Sequence, residues 1–390
     1  MTARTTTGDR LVVEVRRWDD VDDDLIDRWW DLEGRAVEPN VYLAPGFVAP
    51  AVRHLTGADG VTVVTVSRSG EPDRLTGLGV TVAEPPCRAR PVPHVAAYRS
   101  RHTYLSGLLV DGTDPVATIG GLLDGIRTRA GGRAGLRFTR LPARGPVGLA
   151  MARAVAERGW RWHPQRRTER AVLDLDAHRA HDRWDHALSA NRRKKHRRAL
   201  RGLDRSGPVT WAATAGTAVG PDQFDTFLRL EHDGWKGRQG SSLLADRADL
   251  AFFRAVCAAF RPRGRLLVTE LTVGDRVAAS TWNLTAGTDG FAFKLGWDPA
   301  FARHSPGVVN EVMMLEHHDR LPAGLRRIDS GAAAGSFIET YWPDRRALID
   351  GVVTFDPATA AAWAVADRAV AAARTARDRG VNRWRTARSG

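Results

Sequence analysis

The chain has 390 residues, 43% apolar and 26% charged, with a formal net charge of +13. That balance excludes a wholly disordered chain, and 38 Gly and 20 Pro scattered without a period exclude a collagen-like or coiled-coil rod. The two cysteines, Cys87 and Cys257, form no CxxC pair, which excludes a zinc ribbon or disulfide scaffold and suits a reducing, cytoplasmic setting.

Residues 1–10 read as a disordered lead, without the apolar core of a secretory signal. Leu11–Val15 predicts a short strand and Asp19–Arg35 a helix. Apolar alternation predicts strands at Val61–Val66 and Leu75–Val82, joined by the turn Arg68-Ser-Gly-Glu-Pro-Asp73, and a Pro-rich loop follows at Pro85–Pro93. The half closes with strand Tyr104–Val110, helix Pro115–Arg129, strand Leu136–Leu141, helix Val147–Arg158 and strand Arg170–Leu175. A second half repeats this order. Helices Gln223–Trp235 and Asp246–Phe260 precede a meander of strands, Arg265–Val273, Arg276–Leu284 and Gly290–Trp297. Helix Val308–Arg320 and strands Arg326–Asp329 and Ala347–Phe355 complete it. After Pro357 an Ala/Arg-rich amphipathic helix leads into a basic end. No run of 18 apolar residues occurs, so no membrane span is expected. Helices and antiparallel strands grouped in this way predict an α+β fold. The chain divides into a lead at 1–10, a first half at 11–183, a basic linker helix at 184–205, a second half at 206–356 and a C-terminal helix and tail at 357–390.

The linker sequence Asn191–Arg205 holds eight Lys/Arg against one Asp. Like charges recur at i,i+4, each such pair costing on the order of 0.2–0.5 kcal/mol in an isolated helix, so the segment favours nearby anions. Arg192, Arg193, Lys194, Lys195, Arg197 and Arg198 are candidates for phosphate contact, with tRNA as one partner. A solvated linker helix paired with surface carboxylates accounts for the same run. Further on, an aromatic strand ends at Trp297-Asp298-Pro299, and Ser305-Pro306-Gly307 reads as a helix start with Ser305 as N-cap and Pro306 first in the helix. The amides of Gly307, Val308 and Val309 are candidate anion donors, and Gly307 would admit a ligand close to the backbone. An ordinary capped core helix has the same signature.

Taken in order, several pieces resemble the GNAT superfamily, and more closely the CelD-type acetyltransferase-like family related to the Fem-type aminoacyl-tRNA-dependent transferases. They are Leu43-Ala-Pro-Gly-Phe47, Thr103-Tyr-Leu-Ser-Gly107, the basic run 192–201, Glu231-His-Asp-Gly-Trp-Lys236, Trp297-Asp298 with Ser305-Pro-Gly307, and Ile328-Asp-Ser-Gly331. The resemblance implies two tandem GNAT-like domains, each a mixed, mostly antiparallel sheet flanked by helices, the second holding the acyl donor. It implies an acyltransferase in which an amine attacks a thioester or an aminoacyl-tRNA ester. Helix-start amides would hold the carrier's phosphates, strand Phe291–Trp297 would offer an oxyanion donor, and a base would take the proton. On that reading Lys236, Ser305, Gly307, Val308 and Val309 bind the cofactor, and Glu231, Asp298, His304 and Asp329 are candidate catalytic residues. One departure is that Phe337-Ile338 stand where the family often has Tyr-Lys, leaving Arg345 or Arg346 as the nearby cations. The helical arm of some Fem-type members is absent.

Other motifs point elsewhere or nowhere. His178-x-x-His181-Asp182-x-x-Asp185-His186 has metal-ligand residue types without a metal-site spacing, so no metal is expected. Gly331–Ser336 lacks the lysine of a P-loop, Gly131–Gly135 precedes rather than follows a strand, and no Gly-x-Ser-x-Gly elbow occurs. Three functions remain. The first is acyl transfer from acyl-CoA (acetyl-CoA) to an amine or hydroxyl of a small-molecule acceptor or polysaccharide precursor. The second is Fem-like amide formation from aminoacyl-tRNA. The third is a non-catalytic basic nucleic-acid-binding protein.

Overall fold

Apolar alternation becomes strand, and capped amphipathic runs become helix, along most of the chain. The computed structural model describes residues 10–87, 92–129, 135–181, 183–366 and 368. The expectations for residues 1–9, the centre of the Pro-rich loop, residues 130–134, Asp182 and the end of the tail lie outside them. The first half comprises β1 (Leu11–Arg17), α1 (Asp23–Arg35), α2 (Pro45–Ala51), β2 (Val61–Arg68), β3 (Glu71–Glu84), β4 (His94–Ala97), β5 (Leu109–Val110), α3 (Pro115–Arg129), β6 (Leu136–Pro142), α4 (Pro146–Glu157) and β7 (Arg161–Asp174). Short α5 (Leu175–Arg179) and the basic α6 (Ala190–Asp204) lead to β8 (Val209–Ala215), α7 (Pro221–Asp233), α8 (Trp235–Arg238) and α9 (Arg247–Phe260). Then come β9 (Leu266–Val273), β10 (Arg276–Ala286), β11 (Asp289–Trp297), α10 (Pro306–Glu316), β12 (Arg327–Asp329) and β13 (Asp344–Thr354). Residues 357–366 are helical.

Side-chain caps fix several helix starts. Asp22 accepts from the Leu25 amide at 2.8 Å, which moves the start of α1 inward of Asp19, and Asp246 accepts from Ala248 at 2.8 Å to open α9. Two sequence expectations need correction. Of Tyr104–Val110 only Leu109–Val110 is strand, and the strand expected at Arg170–Leu175 runs from Arg161. The segment 161–169 is too polar to show a buried face, yet β13 pairs along its whole length.

The strands form one mixed sheet in the order β1-β2-β3-β4-β6-β13-β7-β12-β11-β10-β9-β8, with β5 beside β3. Each half supplies four antiparallel strands and then a parallel neighbour reached through a helix: β4 to β6 across α3, β11 to β12 across α10. The next strand along comes from the other half. β6 pairs with β13 from the C-terminal end, and β12 pairs with β7 from the N-terminal half. Helix α2 joins the halves on one face. Phe47 meets Phe252 of α9 and Phe293 of β11 with ring centroids 5.3 and 5.8 Å apart, and Tyr42 meets Phe291 at 5.8 Å. Gly46 is required there, because a Cβ would lie 2.6 Å from Trp30 and 2.9 Å from Ala259.

Candidate active site at the start of helix α10

Strands β11 and β12 pair only over Asp289–Phe291 and Arg327–Asp329, so from Ala292 onward they splay. A bulge at Phe293 shifts the register of β11 against β10 between Trp282 and Asn283, and bulges of this kind re-aim side chains. Gly331, at φ 62°, turns the chain after β12, and a Cβ on it would come within 2.6 Å of the Ala292 carbonyl. The splay encloses a cavity of about 150 Å³, lined among others by Phe293, Lys294, Glu311, Ser330, Ala332 and Trp342. Glu311 is buried, with Oε1 accepting from Thr281 Oγ1 at 2.8 Å, and burial pushes its carboxyl up to about 7.

One lining residue, Lys294, is held by charged and polar groups from both halves. Lys294 Nζ donates to His102 Nδ1 at 3.1 Å, and His102 Nε2 donates to Asp249 Oδ1 at 2.6 Å. Arg101 donates to the same Asp249 oxygen at 2.7 Å. Burial, followed by the Lys294 charge, holds His102 well below its ordinary pKa, so the ring is neutral and can accept from lysine. Burial also lowers Lys294, against the opposing pull of Glu231 and Asp249.

A second cavity, about 410 Å³, opens at the start of α10. Lys195, His196 and Arg198 of α6 line it, with Arg205, Arg303, His304, Ser305, Val308 and Tyr341. The basic linker helix and the helix start, which the sequence presents as separate features, therefore form one site. Lys195, Arg198 and Arg205 face no carboxylate within ion-pair distance among the described residues. His196 is 6% exposed, burial lowers its pKa to about 4, and neither ring nitrogen has a partner among the described residues. The cavities flank one segment, with Ile338 and Trp342 on the splay side and Tyr341 on the other.

The individual sequence candidates fall in different places. Ser305 precedes α10 but adopts a left-handed backbone, φ 51°, and makes no side-chain cap bond. The Val309 amide donates to the Ser305 carbonyl at 3.1 Å, so the amides left at the helix start are those of Gly307 and Val308. Gly307 does not admit a ligand: a Cβ on it would point at Trp297 and Leu295, 3.3 and 3.4 Å away, so the glycine packs α10 onto β11. His304 lies in the basic cavity, accepts from Arg303 Nε at 2.9 Å and is lowered by desolvation and by Arg303 and Arg205. Lys236 is not at the helix start. It donates to Glu231 Oε1 at 2.7 Å and to the Leu295 carbonyl at 3.2 Å. The Leu243 amide donates to Glu231 Oε2 at 2.9 Å, so both oxygens of that buried carboxylate are engaged. Asp298 caps the turn at Ala300 and pairs with Arg276. Asp329 is buried between Arg346 and Arg170 and accepts from the Gly331 amide at 2.8 Å. Neither aspartate lines either cavity.

Within the basic run, Arg192 donates to the Thr340 carbonyl and Arg193 to the Leu188 carbonyl, so these two fasten α6 to the body. Lys194 and Arg197 face outward, exposed. Arg346 is buried in ion pairs with Asp329 and Asp289, and Arg345 donates to the Trp342, Asp344 and Glu339 carbonyls, so neither replaces the missing lysine. The sequence reading missed Glu311, Lys294, His102, Asp249 and His196. Glu311 had a visible signal, a lone acid inside the apolar helix Val308–Leu315. No group of three or more His, Cys, Asp or Glu among the described residues has metal-binding geometry, and no described helix is long and apolar enough to cross a membrane.

The family model described as an acetyltransferase (GNAT) domain matches residues 190–341. No curated protein matches the chain. Among solved structures, FemX aligns with a TM-score of 0.56 at 10% identity, covering 88% of this chain and 98% of that one. A conserved protein of unknown function from Bacteroides thetaiotaomicron aligns at 0.54 and 12% identity, covering 88% and 100%. The C-terminal domain of a protein named as a lysylphosphatidylglycerol synthetase from Agrobacterium fabrum aligns at 0.52 and 15% identity, covering 88% and 95%.

Proposed function

We propose that the chain transfers an acyl group from acyl-CoA to an amine or hydroxyl of a small molecule or polysaccharide precursor, a reading supported by the match of residues 190–341 to the acetyltransferase (GNAT) domain model and by a fold shared with FemX. The observation that carries this reading is the basic cavity at the start of α10. There the Val308 amide, the helix dipole, Lys195, Arg198, Arg205 and the unpartnered His196 converge on one space suited to the phosphates of a carrier. The splay beside it suits the thioester. The acceptor's nucleophile attacks the thioester carbonyl, and an N–H on the free outer edge of β11 meets the developing oxyanion. Collapse breaks the C–S bond and releases CoA thiolate. Glu311 takes the proton lost by the nucleophile, and the thiolate is protonated on leaving. Lys294 adds a positive charge to the wall of the splay.

Titration calorimetry of CoA against the wild type and against Lys195→Glu/Arg198→Glu tests the reading. The double variant should bind at least about tenfold more weakly, as the loss of two phosphate-facing cations requires. A wild type that ignores CoA would remove the proposal. The exposed Lys194 and Arg197 favour a second reading, in which charged tRNA is the donor. That reading predicts transfer abolished by ribonuclease. RNA binding with a steep salt slope and no turnover would instead select the non-catalytic binder.

A further inference from the structure

A second concentration of arginine lies away from α10, where the halves exchange strands. Asp350 of β13 faces irregularities on both neighbours: the β6 register shifts between Ile349 and Gly351, and the β7 register between Asp350 and Gly351. On the β6 side Arg140 adopts a left-handed backbone, φ 58°, and donates its amide to Asp350 Oδ1 at 2.7 Å. Non-glycine residues are rare in that region, and such positions concentrate at functional sites. On the β7 side Arg166 lies opposite Asp350. Both arginines line a small pocket of about 80 Å³ with Thr168, Glu169, Arg170 and Ala332.

The three arginines there are unequally engaged. Arg170 is engaged by Asp329 and by the Ala332 and Tyr104 carbonyls, whereas the guanidiniums of Arg140 and Arg166 have no hydrogen bond or ion pair among the described residues. Arg140 is half-buried, and burial, followed by the charge of Arg170, lowers its pKa against the opposing pull of Asp350. The pocket shares Thr168, Glu169 and Leu348 with a cavity of about 570 Å³, which Arg144 and Arg167 also line without a carboxylate partner among the described residues. In the small pocket two free guanidiniums stand beside the carboxylates of Glu169 and Asp350, and Asp350 already accepts from the Arg140 backbone. One planar fork satisfies a carboxylate, whereas two forks from separate strands suit a tetrahedral phosphate with three free oxygens. Ala332 lines both this pocket and the splay cavity.

We infer that Arg140 and Arg166 form a second anion site, which holds a phosphate carried by the acceptor, so that the acceptor is a phosphorylated small molecule whose nucleophile reaches the splay past Ala332. The word acceptor rests on the acyltransferase reading, whereas the phosphate site does not. Equilibrium dialysis of radiolabelled inorganic phosphate against the full chain, with CoA saturating, tests it. Phosphate should still bind the wild type, acetate should not displace it at equal concentration, and Arg140→Gly and Arg166→Ala should each weaken it by at least about tenfold. Glycine accepts the left-handed backbone, so Arg140→Gly removes the guanidinium without straining β6, and an unchanged melting temperature checks this. No phosphate binding under CoA, or unchanged binding in both variants, overturns the site. Repeating the dialysis without CoA in the Lys195→Glu/Arg198→Glu background separates the two claims. Arg140-dependent phosphate binding there, in a protein whose wild type does not take CoA, keeps the site and removes the acyltransferase.

Discussion

In the proposed reaction Glu311 takes the nucleophile's proton. Its one hydrogen bond, from Thr281, does not offset the cost of burying a carboxylate, so the group titrates near neutrality. A base with a pKa of about 7 is half-ionised at the pH where it works. We expect kcat/KM to rise with pH through about 7 in the wild type, and Glu311→Gln to lose that limb together with most of the rate. A profile unchanged in the variant would show that another group takes the proton. The same shift has a consequence for stability. The folded pKa lies above the unfolded value, so the folded state binds more protons between them. The contribution is complete below about 4.5 and is lost as pH rises through about 7. Thermal melts from pH 4.5 to 8 should therefore show Glu311→Gln gaining on the wild type as pH rises. In sequence the residue shows only as a lone acid in the apolar helix Val308–Leu315, a signal that reads as an exposed position until the helix is known to be buried on nearly every side.

At the scale of elements, helix α6 carries most of the cations of the proposed donor site. Ser189 caps it, Arg192 and Arg193 fasten it, and His196, Gly202 and Leu203 are buried against the body, so Lys195 and Arg198 are left turned toward the start of α10. Its charges do surround the helix, as the sequence indicates, but a narrow stripe of small and apolar residues still seats it. Gly202 sets the approach, because a Cβ there would lie 2.3 Å from the His304 ring. Gly202→Ala should improve helix propensity by up to about 1 kcal/mol while forcing His304 to turn. The expected result is an unchanged or slightly higher melting temperature with CoA binding weakened about threefold to tenfold, of the order that the loss of one polar contact gives. Unaltered binding would show that His304 is a bystander. Elements with strong local signals were legible in sequence: α3 spans Pro115–Arg129 as expected, and α9 begins directly after its Asp246 cap. Elements defined by partners were not. β4 is short, α2 contains Pro50, and the polar part of β7 is strand only because β13 lies beside it.

Across the whole molecule, the α+β layering and the repeated order of the two halves could be read from the chain, but their shared sheet could not, since local patterning carries no information about which distant strands meet. The exchange places β13 between β6 and β7, and a buried ion network lies at the same junction. Arg346 pairs with Asp329 at 2.8 Å and Asp289 at 3.1 Å, Arg170 pairs with Asp329 at 3.3 Å, and Arg327 pairs with Asp289. Such a network stabilises little relative to an apolar replacement, but removing one member leaves buried charge uncompensated, typically at about 3–5 kcal/mol. Arg346→Met should show that loss. Because β13 completes the sheet for both halves, the loss should be felt by both at once. Denaturant melts followed by tryptophan fluorescence and by far-ultraviolet circular dichroism should coincide in the wild type, and in the variant should shift together to lower denaturant with an unchanged slope. Two separated transitions, with only one moved by the substitution, would mean that the halves unfold independently. The splay between β11 and β12 would then depend on the second half alone, and a phosphate site between β6 and β7 would have no fixed position relative to it.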